Sequence, residues 1–154
     1  MAYADYQFYT DTYHGDILTS ANADKWLERG SDYIDTITFM RTVYAFPTEQ
    51  TDVIRIKKAV CAIAETLYKI DSYEQSVTPT VQSSGEITGA VASISSGRES
   101  ISYTNDRDAS MYAKAVSSQQ EKLNLVKQVS INYLINVLDA NGQFIIYRGI
   151  DNVR

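Results

Sequence analysis

The sequence predicts a mainly α-helical fold: a small bundle of about three to four helices with an inserted Ser/Gly-rich β-hairpin arm and an extended C-terminal tail. Three observations lead there. Val53, Ile56, Val60, Ile63, Leu67 and Ile70 recur at alternating spacings of three and four, which lays an apolar stripe along one helix face for about five turns. The stretch SSGEITGAVASISSGRESISYTND at 83–106 instead alternates apolar and polar residues, and a period of two belongs to half-buried strands. The 154 residues, 44% hydrophobic and 21% charged, suffice for a single domain spanning 1–154 that buries a core without disulfide or metal help.

Each element follows from local chemistry. The start, YADYQFYTDTYHGD, reads either as a short helical turn that packs an aromatic face and stops at Gly15, or as an arm that wraps a neighbour. Ser20 or Asn22 can cap a first helix over about 21–36, whose Trp26, Leu27, Tyr33, Ile34 and Ile37 fall mostly on one side. TITFMRTVYAFP is β-branched and aromatic and ends at Pro47, so it reads as a connection rather than a long helix. Thr48, Glu49, Thr51 and Asp52 then give the second helix an acid-rich start that suits the positive end of its dipole. Beside its seam, Ala59, Cys61, Ala62 and Ala64 allow another helix to approach closely, Arg55, Lys58 and Lys69 are expected to face water, and Glu65 to pair with Lys69.

After Tyr73 the chain turns polar through SVTPTVQSSG, where Pro79 removes a backbone donor. The hairpin arm, about 85–104, is expected to run through Ile87, Gly89, Val91 and Ser93 or Ile94, turn at 95–97 near Arg98, and return through Ile101 and Tyr103. A lone hairpin is marginal in water and needs something to lie against. Asp106 or Asp108 can cap a last helix over about 109–139, carrying Tyr112, Val116, Leu123, Val126, Tyr133, Leu134 and Val137, with a kink or break at the polar SSQQEK of 117–122. Asn141-Gly142 signals a turn. The helical core is thus placed at about 20–75 and 108–139, and QFIIYRGIDNVR at 143–154 is left as a tail with exposed apolar residues.

Groups for catalysis are scarce. His14, the one histidine, has no partner at metal-ligand spacing, and no G-x-S-x-G, Walker-type or G-x-G-x-x-G pattern occurs. The carboxylate pairs Asp32/Asp35 and Asp71/Glu74 lie at i,i+3 and read as solvated helix surface. Cys61, the single cysteine, excludes an internal disulfide, fits a reducing compartment and reads as a small buried thiol. No enzymatic activity, cofactor or metal is therefore expected. The net charge is −5, with eight acids against three bases in 1–50 and eleven against eleven in 51–154. That balance disfavours tight nucleic-acid binding, which draws on phosphate neutralisation, and RIKK at 55–58 is divided around the seam. Lacking a secretory segment or an apolar run of membrane-spanning length, the chain is expected to be cytoplasmic and soluble, with no membrane partner. Twelve tyrosines suit either an interface or a half-buried core.

What remains is surface, since exposed strand edges and apolar tails are normally covered by another copy or a partner. The order of YQFYTDTYHGD, WLERGSDYIDTITFMR, IKKAVCAIAETLY, SISSGRESISYT, INYLINV and FIIYRGID resembles that of the head-completion or adaptor proteins of tailed bacteriophages, the head–tail connector family. The resemblance spans nearly the whole chain. It implies a structural virion protein at the neck, assembled in the host cytoplasm as a ring, usually of twelve, beneath the portal protein. Such a ring extends the DNA channel without binding DNA specifically and docks the stopper or tail protein. By position it places portal contacts at Phe144, Ile146, Tyr147, Arg148 and Ile150, and inter-subunit or channel contacts at Ile87, Val91, Ile94, Arg98, Ile101 and Tyr103. A stopper or tail-completion protein, or a helical module that binds a host protein, are the other readings.

Overall fold

The computed structural model describes residues 2–77, 80–81, 87–88, 93–96, 99–102 and 111–146. The protein is mainly helical. In chain order the elements are α1 (Tyr6–Asp11), α2 (Ala23–Ile37), α3 (Arg41–Tyr44), α4 (Gln50–Val77), β1 (Thr80–Val81), β2 (Ile87–Thr88), β3 (Ser93–Ser96), β4 (Glu99–Ser102), α5 (Met111–Ser117) and α6 (Gln119–Leu134). Two compact units divide the chain, one made of Met1–Tyr68 with Val126–Arg154 and the other of Lys69–Leu125.

The first unit holds the apolar core. From α4 come Ile56, Val60, Ile63 and Leu67, all buried at the seam positions, with Ala59, Cys61 and Ala64 beside them. Trp26, Leu27 and Ile34 of α2 pack into the same cluster. Their helices approach closely because Gly30 has no side chain: a Cβ there would lie 2.8 Å from the Val60 carbonyl oxygen. The small residues of α4 and Gly30 of α2 thus serve one tight crossing. Cys61 is buried and its thiol is pushed up to about 12, by burial first and then by the Glu65 carboxylate, so it is inert near neutral pH.

At the N-terminus the helical-turn alternative is the one observed. Asp5 caps α1 by accepting the Phe8 N–H at 2.7 Å, and Tyr9 is fully buried. The Tyr9 hydroxyl donates to Glu65 Oε1 at 2.8 Å and accepts the N–H groups of Ile17 and Leu18 at 2.9 and 3.0 Å. The i,i+4 spacing pairs Glu65 with Lys69, but its carboxylate is turned inward to the phenol instead, where a charge-assisted hydrogen bond is stronger than an exposed i,i+4 ion pair. Gly15 ends the turn, and a Cβ at that position would overlap the Tyr9 ring at 2.1 Å.

The C-terminal part of this unit corrects the expected boundary of the tail. Helix α6 stops at Leu134 rather than near 139, and a tight turn follows in which Leu138 bridges Phe144 and Gly142 takes φ +75. Asp139 accepts the N–H groups of Asn141 and Gln143 through Oδ1, each at 2.9 Å, while the Ile145 N–H reaches the Val137 carbonyl at 3.0 Å. Val137 and Ile145 are both fully buried. Residues 143–146 are therefore folded structure, because Asn141-Gly142 reverses the chain and returns an isoleucine to the core. Tyr147, Arg148 and Ile150 lie outside the described residues.

In the second unit α4 continues to Val77, and Ser118 separates α5 from α6, so the break expected within 117–122 occurs. The Ser118 hydroxyl there accepts the Gln120 N–H at 3.2 Å, the local bond by which serine competes with helical continuity. In the serine-rich stretch, β1 pairs antiparallel with β2, and β3 with β4 in the register Ile94↔Ile101. The alternation read as one strand over 87–94 is thus shared between two pairings. Thr80 and Val81, read as part of a polar connection, are β-branched and supply the partner for Ile87–Thr88. Val91, Arg98 and Tyr103, and the expected caps Asp106 and Asp108, lie outside the described residues.

Candidate functional site

Among the described residues, the most exposed large apolar side chains of the first unit gather in two places. One is the α2–α3 connection, with Phe39, Met40, Val43 and Tyr44; the other is the end of α6 and its turn, with Ile131, Ile135, Leu138 and Phe144. Tyr44 is 84% exposed and Phe39 and Val43 are each 51% exposed. Outward-facing residues of this size in a short stretch need a reason, since scattered single ones do not.

The local sequence explains how they are held outward. At the end of α2 the Phe39 N–H bonds to the Thr36 carbonyl at 3.3 Å and the Met40 N–H to the Asp35 carbonyl at 2.7 Å. This is the paired closure of a Schellman motif, whose left-handed position usually belongs to glycine. Here Phe39 takes φ 54, and Met40 follows it at φ 64. The left-handed conformation costs a non-glycine residue about 1–2 kcal/mol, so two consecutive bulky residues store strain that the surrounding bonds must hold. Thr38 and Thr42 do so: their hydroxyls lie 2.9 Å apart, Thr38 Oγ1 donates to the Ile34 carbonyl at 2.8 Å, and Thr42 Oγ1 donates to Asp35 Oδ1 at 2.6 Å. Both threonines are buried.

Asp35 also accepts the Tyr3 hydroxyl at 2.6 Å. That phenol is raised to about 12, first by its burial and then by its bond to Asp35, so it stays a donor across the ordinary pH range. The Asp32/Asp35 pair is thus explained differently by its two members: Asp32 is exposed, while Asp35 organises the strained turn. Among the described residues no three His, Cys, Asp or Glu side chains converge to hold a metal ion. His14 sits exposed in a turn at φ 61, and Asp71 accepts the Gln75 side-chain amide at 2.7 Å.

Two clefts flank the turn. One, of about 460 Å³, is lined by Tyr3, Asp35, Thr42, Val43 and Phe46. The other, of about 200 Å³, is an apolar groove between the α2 end and α6, formed by Ile37, Phe39, Ile131, Leu134 and Ile146 with Lys127 and Ser130 at its edge. The C-terminal turn is tied to α3 and α4 by three bonds: Arg41 Nη1 to the Phe144 carbonyl at 2.6 Å, the Ala140 N–H to the Ala45 carbonyl at 3.2 Å, and the Leu138 N–H to Asp52 Oδ2 at 3.2 Å. Asp52 therefore serves that turn as well as the start of its own helix.

Of the contact residues expected from sequence, Phe144 and Ile146 are in this region, Ile146 lining the groove and Phe144 half-exposed. For Ile87, Ile94 and Ile101 the described structure is the strand pairing. Phe39, Met40, Val43 and Tyr44 lie in the stretch whose β-branched and aromatic pattern reads only as a connection. The available signal was TFMRTVY itself, where four large apolar residues follow a helix end with no glycine to close it.

The tyrosines divide sharply around this site. Tyr3, Tyr6, Tyr13, Tyr33, Tyr68 and Tyr133 pack partly buried against the core and Tyr9 completely, whereas Tyr44 stands out in solvent. Most of the unusual tyrosine content is thus core. No helix among the described residues is long and apolar enough to cross a membrane. Neither a family model, nor a curated protein, nor a solved structure matches the chain.

Proposed function

We propose that the chain is a structural virion protein, a head–tail connector adaptor that assembles as a ring under the portal, extends the DNA channel and docks the stopper or tail. The observation that carries this reading is the strained, outward-facing apolar turn at 39–44 beside the exposed end of α6. A protein whose task is docking has a use for apolar side chains held in water; a free-standing monomer does not. The ordered motifs that resemble the connector family supply the specific identity, and the mild acidity suits a channel that DNA slides through, since each cationic phosphate contact would act as a brake.

In this reading the 39–44 turn and the α6 end form the contact between neighbouring copies. The serine-rich segment is the inserted hairpin arm, directing Ile87, Val91, Ile94, Arg98, Ile101 and Tyr103 toward neighbours or the channel. Phe144 and Ile146, followed by Tyr147, Arg148 and Ile150, face the portal. A contact stable without the portal should bury on the order of 1,600 Å² in total. Electron microscopy of particles carrying an internally labelled copy tests the assignment. Label at the capsid vertex supports it; absence of the chain from particles, or a stable one-to-one complex with a host protein, overturns it.

A further inference from the structure

The cleft beside the strained turn carries its own chemistry. Its lining includes Asp35, a half-buried carboxylate. Among the described residues, both side-chain hydrogen bonds that reach it, from Tyr3 and from Thr42, arrive at Oδ1, and no buried side-chain oxygen lacks a partner. The second oxygen, Oδ2, is therefore oriented by its fixed twin and open to solvent. The Tyr3 and Phe46 rings stand beside it with centroids 5.2 Å apart and planes tilted by 31°, and Val43 completes the lining. An acceptor with a set direction next to aromatic faces is the environment that suits a planar cation: guanidinium stacks on rings and bonds to carboxylate, while the more strongly hydrated ammonium gains less.

We propose that this cleft binds an arginine side chain presented by a second copy of the chain, with Arg55 as the residue that enters. Charge points to that occupant. Asp32, exposed on the same helix, adds its charge to Asp35 in raising the Tyr3 phenol at the cleft, so a second carboxylate stands near the site and favours a basic guest. Of the described arginines, Arg29 lies over the Trp26 ring and Arg41 bonds to the Phe144 carbonyl. Arg55 is exposed on α4, and its guanidinium has no side-chain partner among the described residues. Donor and acceptor then sit on different helices, α4 and α2. A contact between unlike patches is heterologous, the kind that closes into rings when its rotation permits. The proposal rests on reading this region as a contact between copies, but its test needs neither portal nor virion.

Two arms separate the site from its source. In the first, N-acetyl-arginine methylamide is titrated into the full chain and followed by NMR at Tyr3, Asp35, Thr42 and Phe46, beside its neutral citrulline counterpart. Asp35→Asn is the informative variant, because the amide oxygen can still accept from Tyr3 and Thr42 while Oδ2 becomes an NH2 that repels guanidinium. Saturable shifts with arginine, weakened about tenfold or more by citrulline and by Asp35→Asn, are expected. Equal response to citrulline, or no saturation at the cleft, overturns the site whether or not the variant folds. In the second arm, Val43→Cys and Arg55→Cys are joined by a bismaleimide whose spacer matches an extended arginine; buried Cys61 does not compete. The double variant should give a ladder of multimers and a mixture of the two single variants only dimers. Dimers from Val43→Cys alone, or no intermolecular product, overturn the assignment to Arg55 of a second copy.

Discussion

The N-terminal turn at 5–18 and the α2–α3 turn at 38–46 are built from similar material and end in opposite environments. Each is short, rich in aromatic residues, and contains a non-glycine residue in the left-handed region: His14 in one, Phe39 and Met40 in the other. In the first, Tyr9 is fully buried with three hydrogen bonds on its hydroxyl, and Gly15 leaves room for its ring. In the second, the polar work falls to Thr38, Thr42 and Asp35, and Phe39, Met40, Val43 and Tyr44 are left outside. Aromatic content therefore does not tell core from exposed surface. What tells them apart is where the backbone finds its bonds, and whether a small residue opens a hole for the ring.

That contrast sets out which substitutions should unfold the protein and which should only silence it. The largest effect belongs to the chain end that returns to the core. Ile145→Ala removes a fully buried side chain and should cost about 2–5 kcal/mol, read as a fall in the urea midpoint. Deletion from residue 143 should abolish the cooperative transition, and deletion from residue 147 should keep it. Equal stability of both deletions would remove the C-terminal turn from the core.

Next comes the N-terminal turn. Tyr9→Phe keeps the ring but leaves two N–H groups and the Glu65 carboxylate without their partner, at a cost of about 1–3 kcal/mol. The same phenol sets an alkaline limit. It is pushed up from 10.0 to about 12, by burial first and with Glu65 adding to it, and Tyr3 is raised similarly. The unfolded chain ionises near 10 and the folded chain later, so between those values the unfolded state holds fewer protons and stability falls as pH rises. Urea midpoints measured from pH 8 to 12 should decline above about 10, and less steeply in Tyr9→Phe.

The smallest stability effects should come from the exposed turn. Phe39→Gly releases about 1–2 kcal/mol of left-handed strain, offset by the roughly 0.4–1 kcal/mol that glycine's freedom adds to the unfolded chain. Its melting temperature should hold or rise slightly. Tyr44→Ser should stay within about 0.5 kcal/mol of the parent. Clear destabilisation by either change would make this turn a second piece of core and erase the contrast.

The sequence made the scaffold legible where periodicity is long. The seam from Ile56 to Ile70 is buried as the spacing requires, and Val60 and Ala64 stand where α2 crosses at Gly30. The Asn141-Gly142 turn was legible from its dipeptide, but not its consequence, because return of Ile145 to the core depends on Val137 and α6 rather than on local signals. Glu65 misled for a related reason: Lys69 is four residues away in sequence, whereas Tyr9 is brought to it only by the fold. The exposed turn was hidden because a helix closed by Phe39 carries no glycine to announce its end, and exposure of Phe39, Met40, Val43 and Tyr44 is a property of the packed unit.

Sedimentation velocity of the parent chain and of the Phe39→Ser/Tyr44→Ser double variant, over rising concentration and with melting temperatures taken in parallel, tests most directly whether the exposed turn serves assembly and not folding. The parent should grow beyond a monomer with concentration, while the double variant stays monomeric at an unchanged melting temperature. A parent that remains monomeric throughout, or a variant that associates as the parent does, would contradict the account.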